Sequence, residues 1–126
     1  MTKVSAIIPV YNVSSFIRKS VKSLMGQTLQ DVEFIFVDDS TPDDSIEILE
    51  GELKNYPHRT GQVRIIHHQQ NKGLPSARNT GLKAATGEYV YHCDSDDWME
   101  PEMLEKMYAL GFSDDQIMES VRRELK

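Results

Sequence analysis

At 126 residues the chain suits one domain, and 39% apolar with 27% charged residues is a globular balance that speaks against a fibre or a disordered tract. A formal net charge of -6 leaves no basic stripe to neutralise phosphates, which argues against nucleic-acid binding. The single cysteine, Cys93, rules out an intramolecular disulfide and fits a reducing compartment. A cytoplasmic location is expected, including a peripheral position at the inner face of a membrane.

The first element is the apolar run VSAIIPV, Val4–Val10. It reads as a central parallel strand buried on both faces. It is too short to span a membrane and is broken by Pro9, and no signal-peptide cleavage site follows it. Tyr11 and Asn12 form a loop. Ser14 or Ser15 then caps a helix carrying Phe16, Ile17, Val21 and Leu24. A second strand covers residues 33–37 and ends in Asp38-Asp39. Pro42 opens a second helix with Ile46, Leu49 and Leu53 on its apolar stripe. A third strand covers Val63–His67, and Asn71-Lys72-Gly73 signals a turn. A small-residue helix through Ala77, Ala84 and Ala85 ends at Gly87 as its C-cap. The fourth strand, residues 88–93, delivers Asp94-Ser95-Asp96-Asp97 into a loop, and Pro101 opens a helix with Met103, Leu104 and Met107.

Strand and helix alternate four times, which implies a parallel sheet covered on both faces. In such sheets ligands bind beyond the carboxyl ends of the strands. Tyr11-Asn12, Asp38-Asp39 and the aspartates from Asp94 all fall at that edge. In extended backbone Asp94 and Asp96 point to one side, so their carboxylates converge and repel. A hard divalent cation, Mg²⁺ or Mn²⁺, relieves that repulsion and takes phosphate oxygens as further ligands. The plainer alternative has these aspartates solvating a loop and capping the helix at Pro101. Asp38 and Asp39 present a similar choice between contact with a sugar hydroxyl or base N–H and capping the helix near Pro42, where Ser40 and Thr41 compete. His67 and His68 read as structural or solvated, and Cys93 as core. His92 shares a face with Asp94, but no third soft ligand lies nearby for zinc.

The runs VSAIIPVYN, FIFVDDST, NKGLPSARNTGL and GEYVYHCDSDDWMEP, in this order, resemble the start of a family 2 glycosyltransferase. The resemblance spans roughly residues 4–108. It implies the Rossmann-like GT-A fold and transfer of a sugar from a nucleotide diphosphate to an acceptor with inversion. By position, Pro9, Tyr11 and Asn12 would form the first wall of the nucleotide pocket, with Tyr11 against the base. Asp39, beside Asp38, would hydrogen-bond the base, most often uracil. Lys72-Gly73 and Ala77-Arg78-Asn79 would line the ribose and diphosphate side. Arg78 would meet phosphate oxygens, its alternative being an ordinary surface ion pair. Asp94, Ser95 and Asp96 would frame the metal and the sugar nucleotide, with Asp96 the direct ligand. Asp97 and Trp98 would shape the floor of the sugar site, Trp98 having core packing as its alternative.

Residues 1–110 are thus expected to form a nucleotide-sugar-binding half-domain whose sheet is incomplete. Residues 111–126 depart from the family pattern and read as a short amphipathic helix, with Ser113 to Gln116 as a capping box and Ile117, Val121 and Leu125 as its stripe. The family's general base would come from beyond the D-x-D loop, and neither Glu119 nor Glu124 is placed to replace it. The acceptor, a saccharide or a lipid-linked group, is not written in these residues. A donor-binding chain without transfer is the rival reading, and an unfinished sheet edge is expected to favour self-association.

Overall fold

The computed structural model describes residues 2–94 and 98–110. The elements are β1 (Val4–Val10), α1 (Ile17–Met25), β2 (Val32–Asp38), α2 (Ser45–Leu53), β3 (Val63–His67), α3 (Leu74–Ala84), β4 (Tyr89–His92) and α4 (Met103–Ala109). A 3-10 turn, Pro57–Gln62, leads into β3. The sheet order is β3-β2-β1-β4 and every pairing is parallel. Ile7 pairs with Ile35 on one side and His92 on the other. The expected alternation is therefore present, with β1 in the interior of the sheet.

Every residue of β1 is buried, which explains its near-continuous apolar run. On one face Ala6, Ile8 and Val10 join Phe34 and Phe36 in a core closed by Ile17, Val21 and Leu24 of α1 and Leu49 of α2. On the other face Ile7 and Val90 meet Leu82, while Ile35 and Val37 meet Ala77. Full burial of one such large apolar side chain contributes about 1.5–3 kcal/mol. The small residues of α3 let it lie close to the sheet, since a Cβ at Gly81 would collide with the Ile7 side chain. Arg59, 1% exposed, ties the turn before β2 to the core. Its Nη2 donates to the Gln27 and Leu29 carbonyls at 2.5 and 3.2 Å, and its guanidinium lies over the Phe34 ring. Burial without a carboxylate partner holds its pKa below the usual arginine value. Among the described residues no helix is long and apolar enough to cross a membrane.

Several element boundaries differ from expectation, each for a local reason. Helix α1 starts at Ile17 with Phe16 at the N-cap position and no side-chain cap hydrogen bond, so neither Ser14 nor Ser15 caps it, and the Ser14 N–H donates to Asp43 at 3.2 Å. Phe16 is 52% exposed, off the buried stripe of Ile17, Val21 and Leu24. Helix α2 starts at Ser45 rather than near Pro42, since Asp43 takes the Ser45 N–H two residues on, as an Asx turn. Helix α4 starts at Met103, after Pro101. Gly87 is not the C-cap of α3, a position Ala85 occupies. Its role is close approach: the Gly87 N–H donates to Ser5 Oγ at 2.8 Å, and a Cβ there would lie 2.7 Å from the Ser5 backbone nitrogen. Ser5 in turn donates to Glu33 at 2.5 Å, and Glu33 also accepts the N–H and hydroxyl of Thr86.

Gly87→Ala is expected to lower stability by about 1–3 kcal/mol through this backbone clash. An unchanged urea midpoint would show that the turn before β4 can yield.

Candidate functional site

The chain leaves β1 toward β2 and β3 on one side and returns to β4 on the other. The switch point of the sheet therefore lies between β1 and β4, where the loops at their carboxyl ends diverge and leave a crevice. Because all strands are parallel, the loops that start at Tyr11, Asp39, His68 and Cys93 rise at the same edge.

Two carboxylates organise these loops. Asp43 joins the loop after β1 to the loop after β2. Its Oδ1 accepts the hydroxyls of Thr41 and Ser45, both at 2.6 Å, and the Ser45 N–H at 3.1 Å. Its Oδ2 accepts the Ser14 N–H. Thr41 Oγ1 also accepts the Asn12 N–H at 2.8 Å, and the Val13 N–H reaches Ser45 Oγ. Asn12 and Ser40 have φ of 54° and 56°, a left-handed conformation that these bonds hold in place. Burial opposes ionisation of Asp43, but the Ser45 and Thr41 hydroxyls and the Ser45 and Ser14 N–H groups outweigh it. The pKa is held well below the usual carboxylate range.

Asp39, 3% exposed, joins the end of β2 to the turn before α3. Its Oδ1 accepts the Lys72 N–H at 2.8 Å and His68 Nδ1 at 2.9 Å. Its Oδ2 accepts the Gly73 N–H at 2.9 Å and the Asn71 side-chain amide at 3.0 Å. A carboxylate offers about four acceptor positions, so all are occupied. Here too burial raises the pKa and is overcome by His68 and the two backbone N–H groups, so the net shift is downward. Gly73 has φ of 95°, which a side chain would strain, and it delivers the chain into α3 with Pro75 in the first turn. Asp38 accepts the Thr41 N–H at 2.9 Å and pairs with exposed His67 at 2.8 Å.

A cleft of about 360 Å³ opens beside Asp39, lined by Pro9, Tyr11, Asp39, Asn71, Gly73, Leu74 and Ala77. Five of these are sequence-derived site residues: Pro9, Tyr11, Asp39, Gly73 and Ala77. Tyr11 is 43% exposed and Leu74 47% exposed at its mouth. Asn71 and Leu74 were missed as lining, although both flank the turn signal at Gly73. Asn12, Lys72 and Asn79 are exposed and do not line the cleft, and Lys72 contributes to its wall only through its backbone N–H. Arg78 Nη2 reaches Asp94 Oδ1 at 3.4 Å, linking α3 to the end of β4. Its Nε is buried without a hydrogen-bond partner among the described residues. Ser95, Asp96 and Asp97 lie outside the described residues, as does the expected helix at 111–126. Trp98 is half-exposed with Lys19 over its ring at 5.7 Å, so core packing does not account for it. Cys93 is buried, as expected.

Residues 5–118 match the family described as glycosyl transferase family 2. The chain belongs to this family. The uncharacterized glycosyltransferase EpsJ of Bacillus subtilis is 48% identical over 104 residues, which are 82% of this chain and 29% of EpsJ. The uncharacterized glycosyltransferase YibD of Escherichia coli is 41% identical over 113 residues, 90% of this chain and 31% of YibD. The chain thus spans about a third of the length of these relatives. A crystal structure of S. aureus TarS 1-349 in complex with UDP-GlcNAc is similar at a TM-score of 0.79 and 31% identity, covering 89% of this chain and 32% of that one. The family 2 chain has the GT-A, Rossmann-like fold, with a four-stranded parallel sheet.

The Asp43 knot yields a test. Asp43→Asn places an amide NH₂ where an acceptor is needed, and is expected to lower stability at pH 7 by about 1–3 kcal/mol. Because the folded pKa is depressed, the wild-type carboxylate contributes fully above its ordinary value near pH 4 and loses that contribution as pH falls below it. Denaturant titrations from pH 7 to pH 3 are expected to show a shallower acid loss in the variant. Parallel curves would remove Asp43 from this role.

Proposed function

We propose that this chain binds the donor of a glycosyltransferase, a UDP-sugar, together with Mn²⁺ or Mg²⁺, for inverting transfer to a saccharide or lipid-linked acceptor. The observation that carries the reading is the cleft itself. Pro9, Tyr11, Asp39, Gly73 and Ala77 surround it at the carboxyl edge of the sheet, and Arg78 with Asp94 stands at the end of β4. TarS, 31% identical, has been crystallised with UDP and with UDP-GlcNAc, which supports the same ligand class here.

In this reading residues 1–110 are the donor-binding unit. Tyr11 stacks on the base and Asp39 accepts from it. Asp39 has no spare acceptor position, so a base N–H must replace one of its present donors. Arg78 offers its fork to the diphosphate. Asp94 fits a metal site in its chemistry: a hard oxygen donor, 55% exposed in its side chain, with a long contact to Arg78 among the described residues. Asp96 is assigned as the direct ligand, with Ser95 and Asp97 beside it. The ion would neutralise charge on the departing diphosphate. No general base for the acceptor hydroxyl is assigned among the described residues. A single buried cysteine accords with a cytoplasmic site of action in this reading, and among the described residues β3 and β4 each pair on one side, leaving edges for self-association.

Isothermal titration with UDP and Mn²⁺ tests the reading. Uptake is expected in wild type and loss of the metal-dependent part in Asp96→Ala. Tyr11→Ala is expected to weaken UDP roughly tenfold or more, as for loss of a stacked ring. Equal heats in wild type and Asp96→Ala would defeat the metal assignment. Sugar transfer above a buffer blank would decide against a chain that binds without transferring.

A further inference from the structure

The four donors to Asp39 fall into two pairs. Asn71 and Gly73, which line the cleft, both bond Oδ2. His68 and Lys72, which do not line it, both bond Oδ1. The carboxylate therefore has an anchored oxygen and a cleft-side oxygen.

The anchor has its own support. His68 follows the last residue of β3, and its N–H donates to the Asp38 carbonyl at 2.8 Å, extending the β2–β3 ladder by one step. This turns the ring inward, opposite to exposed His67, and leaves its side chain only 7% exposed. Nδ1 meets Asp39 at 2.9 Å and Nε2 meets Thr80 Oγ1 at 2.7 Å. An ionised carboxylate can only accept, so Nδ1 carries the proton. In the neutral ring the Thr80 hydroxyl then donates to Nε2. A flipped ring would present a carbon to each partner, so the two bonds select one orientation. Thr80 lies on α3, the helix that Gly73 initiates. The relay thus connects the body of α3 to the carboxylate that shapes its first turn.

We propose that His68 is a positioning residue of the donor site: with Thr80 it pins Oδ1 of Asp39 and so directs Oδ2 into the cleft, where the N–H edge of a nucleobase displaces the Asn71 side-chain amide. This rests on the donor-site reading of the cleft. Asn71 is the exchangeable member because it is an exposed side chain, whereas the Gly73 N–H is fixed in the backbone.

The test uses Thr80→Val, which removes the hydroxyl at similar volume, and Thr80→Ser, which keeps it. The ¹⁵N spectrum of the wild-type imidazole is expected to show a protonated Nδ1. Thr80→Val is expected to shift the Lys72 and Gly73 amide resonances and to weaken UDP roughly tenfold, the scale of one hydrogen bond in a charged network. Thr80→Ser is expected to restore both. An unprotonated Nδ1, or a Thr80→Val chain with wild-type amide shifts and UDP affinity, overturns the proposal. A wild-type chain that takes up no UDP would sink the donor-site reading instead, while the ring nitrogens and the amide shifts still decide whether His68 positions Asp39.

Discussion

Strand β1 pairs in parallel on both sides, and both its faces are covered. Its middle can therefore hold only apolar groups and hydrogen-bonded small ones such as Ser5, whose hydroxyl bridges Gly87 and Glu33. Polar chemistry is displaced to the carboxyl end of the strand, where the chain first meets solvent at Tyr11. The neighbours of β1 leave in opposite directions along the chain, so no short loop crosses the gap between β1 and β4. The position of the cleft follows from this pairing pattern. The identities of the loop residues then decide what can occupy it.

Loops at such an edge carry backbone N–H groups that no ladder satisfies. Here two carboxylates collect them. Asp43 takes Ser14 and Ser45, and Asp39 takes Lys72 and Gly73. Each ion is costly to bury alone, and each is held ionised by the donors it collects. The arrangement is reciprocal: the loops neutralise the cost of the charges, and the charges fix the loops. Left-handed Asn12 and Ser40 keep their conformation because Thr41 and Asp43 bind on either side of them. A ligand entering this edge meets walls that are already set, which lowers the ordering entropy of binding.

The strands were legible because burial on two faces writes an unbroken apolar run, as in Val4–Val10. Helix starts were less so, because bonds from distant residues shape the loops that precede them. Ser14 looks like a cap in sequence, yet no side chain caps α1, and the Ser14 N–H is tied to Asp43, 29 residues away. Gly87 looks like a helix stop, yet it is small because Ser5 lies against it. The site shows the same division. Tyr11 and Asp39 follow strand ends, which alternation alone locates, and the family resemblance names Pro9 and the rest. Asn71 and Leu74 carry no chemical signature by themselves, and their membership depends on the turn that Asp39 imposes. His68 was read as structural or solvated, and its burial beside Asp39 places it structurally while its second bond to Thr80 adds what a linear pattern does not contain.

In the donor-site reading, the polar groups of the cleft satisfy one another before any ligand arrives. Asp39 is saturated by four donors, and Arg78 leans on Asp94 at 3.4 Å with its Nε without a partner among the described residues. Donor binding is then an exchange at both ends: a base N–H for the Asn71 amide, and phosphate oxygens for the Asp94 contact. An exchange of one hydrogen bond for another contributes little net affinity. It discriminates strongly, however, because a ligand that displaces a donor without replacing it leaves a buried carboxylate position unpaired. The same logic favours an ion near Asp94. Once the guanidinium turns to phosphate, the carboxylate loses its partner while the local negative charge grows, and a hard cation is the group that restores balance. On the proposed donor-site reading, the pairing of Arg78 with Asp94 would make arrival of the diphosphate and arrival of the metal mutually supportive events.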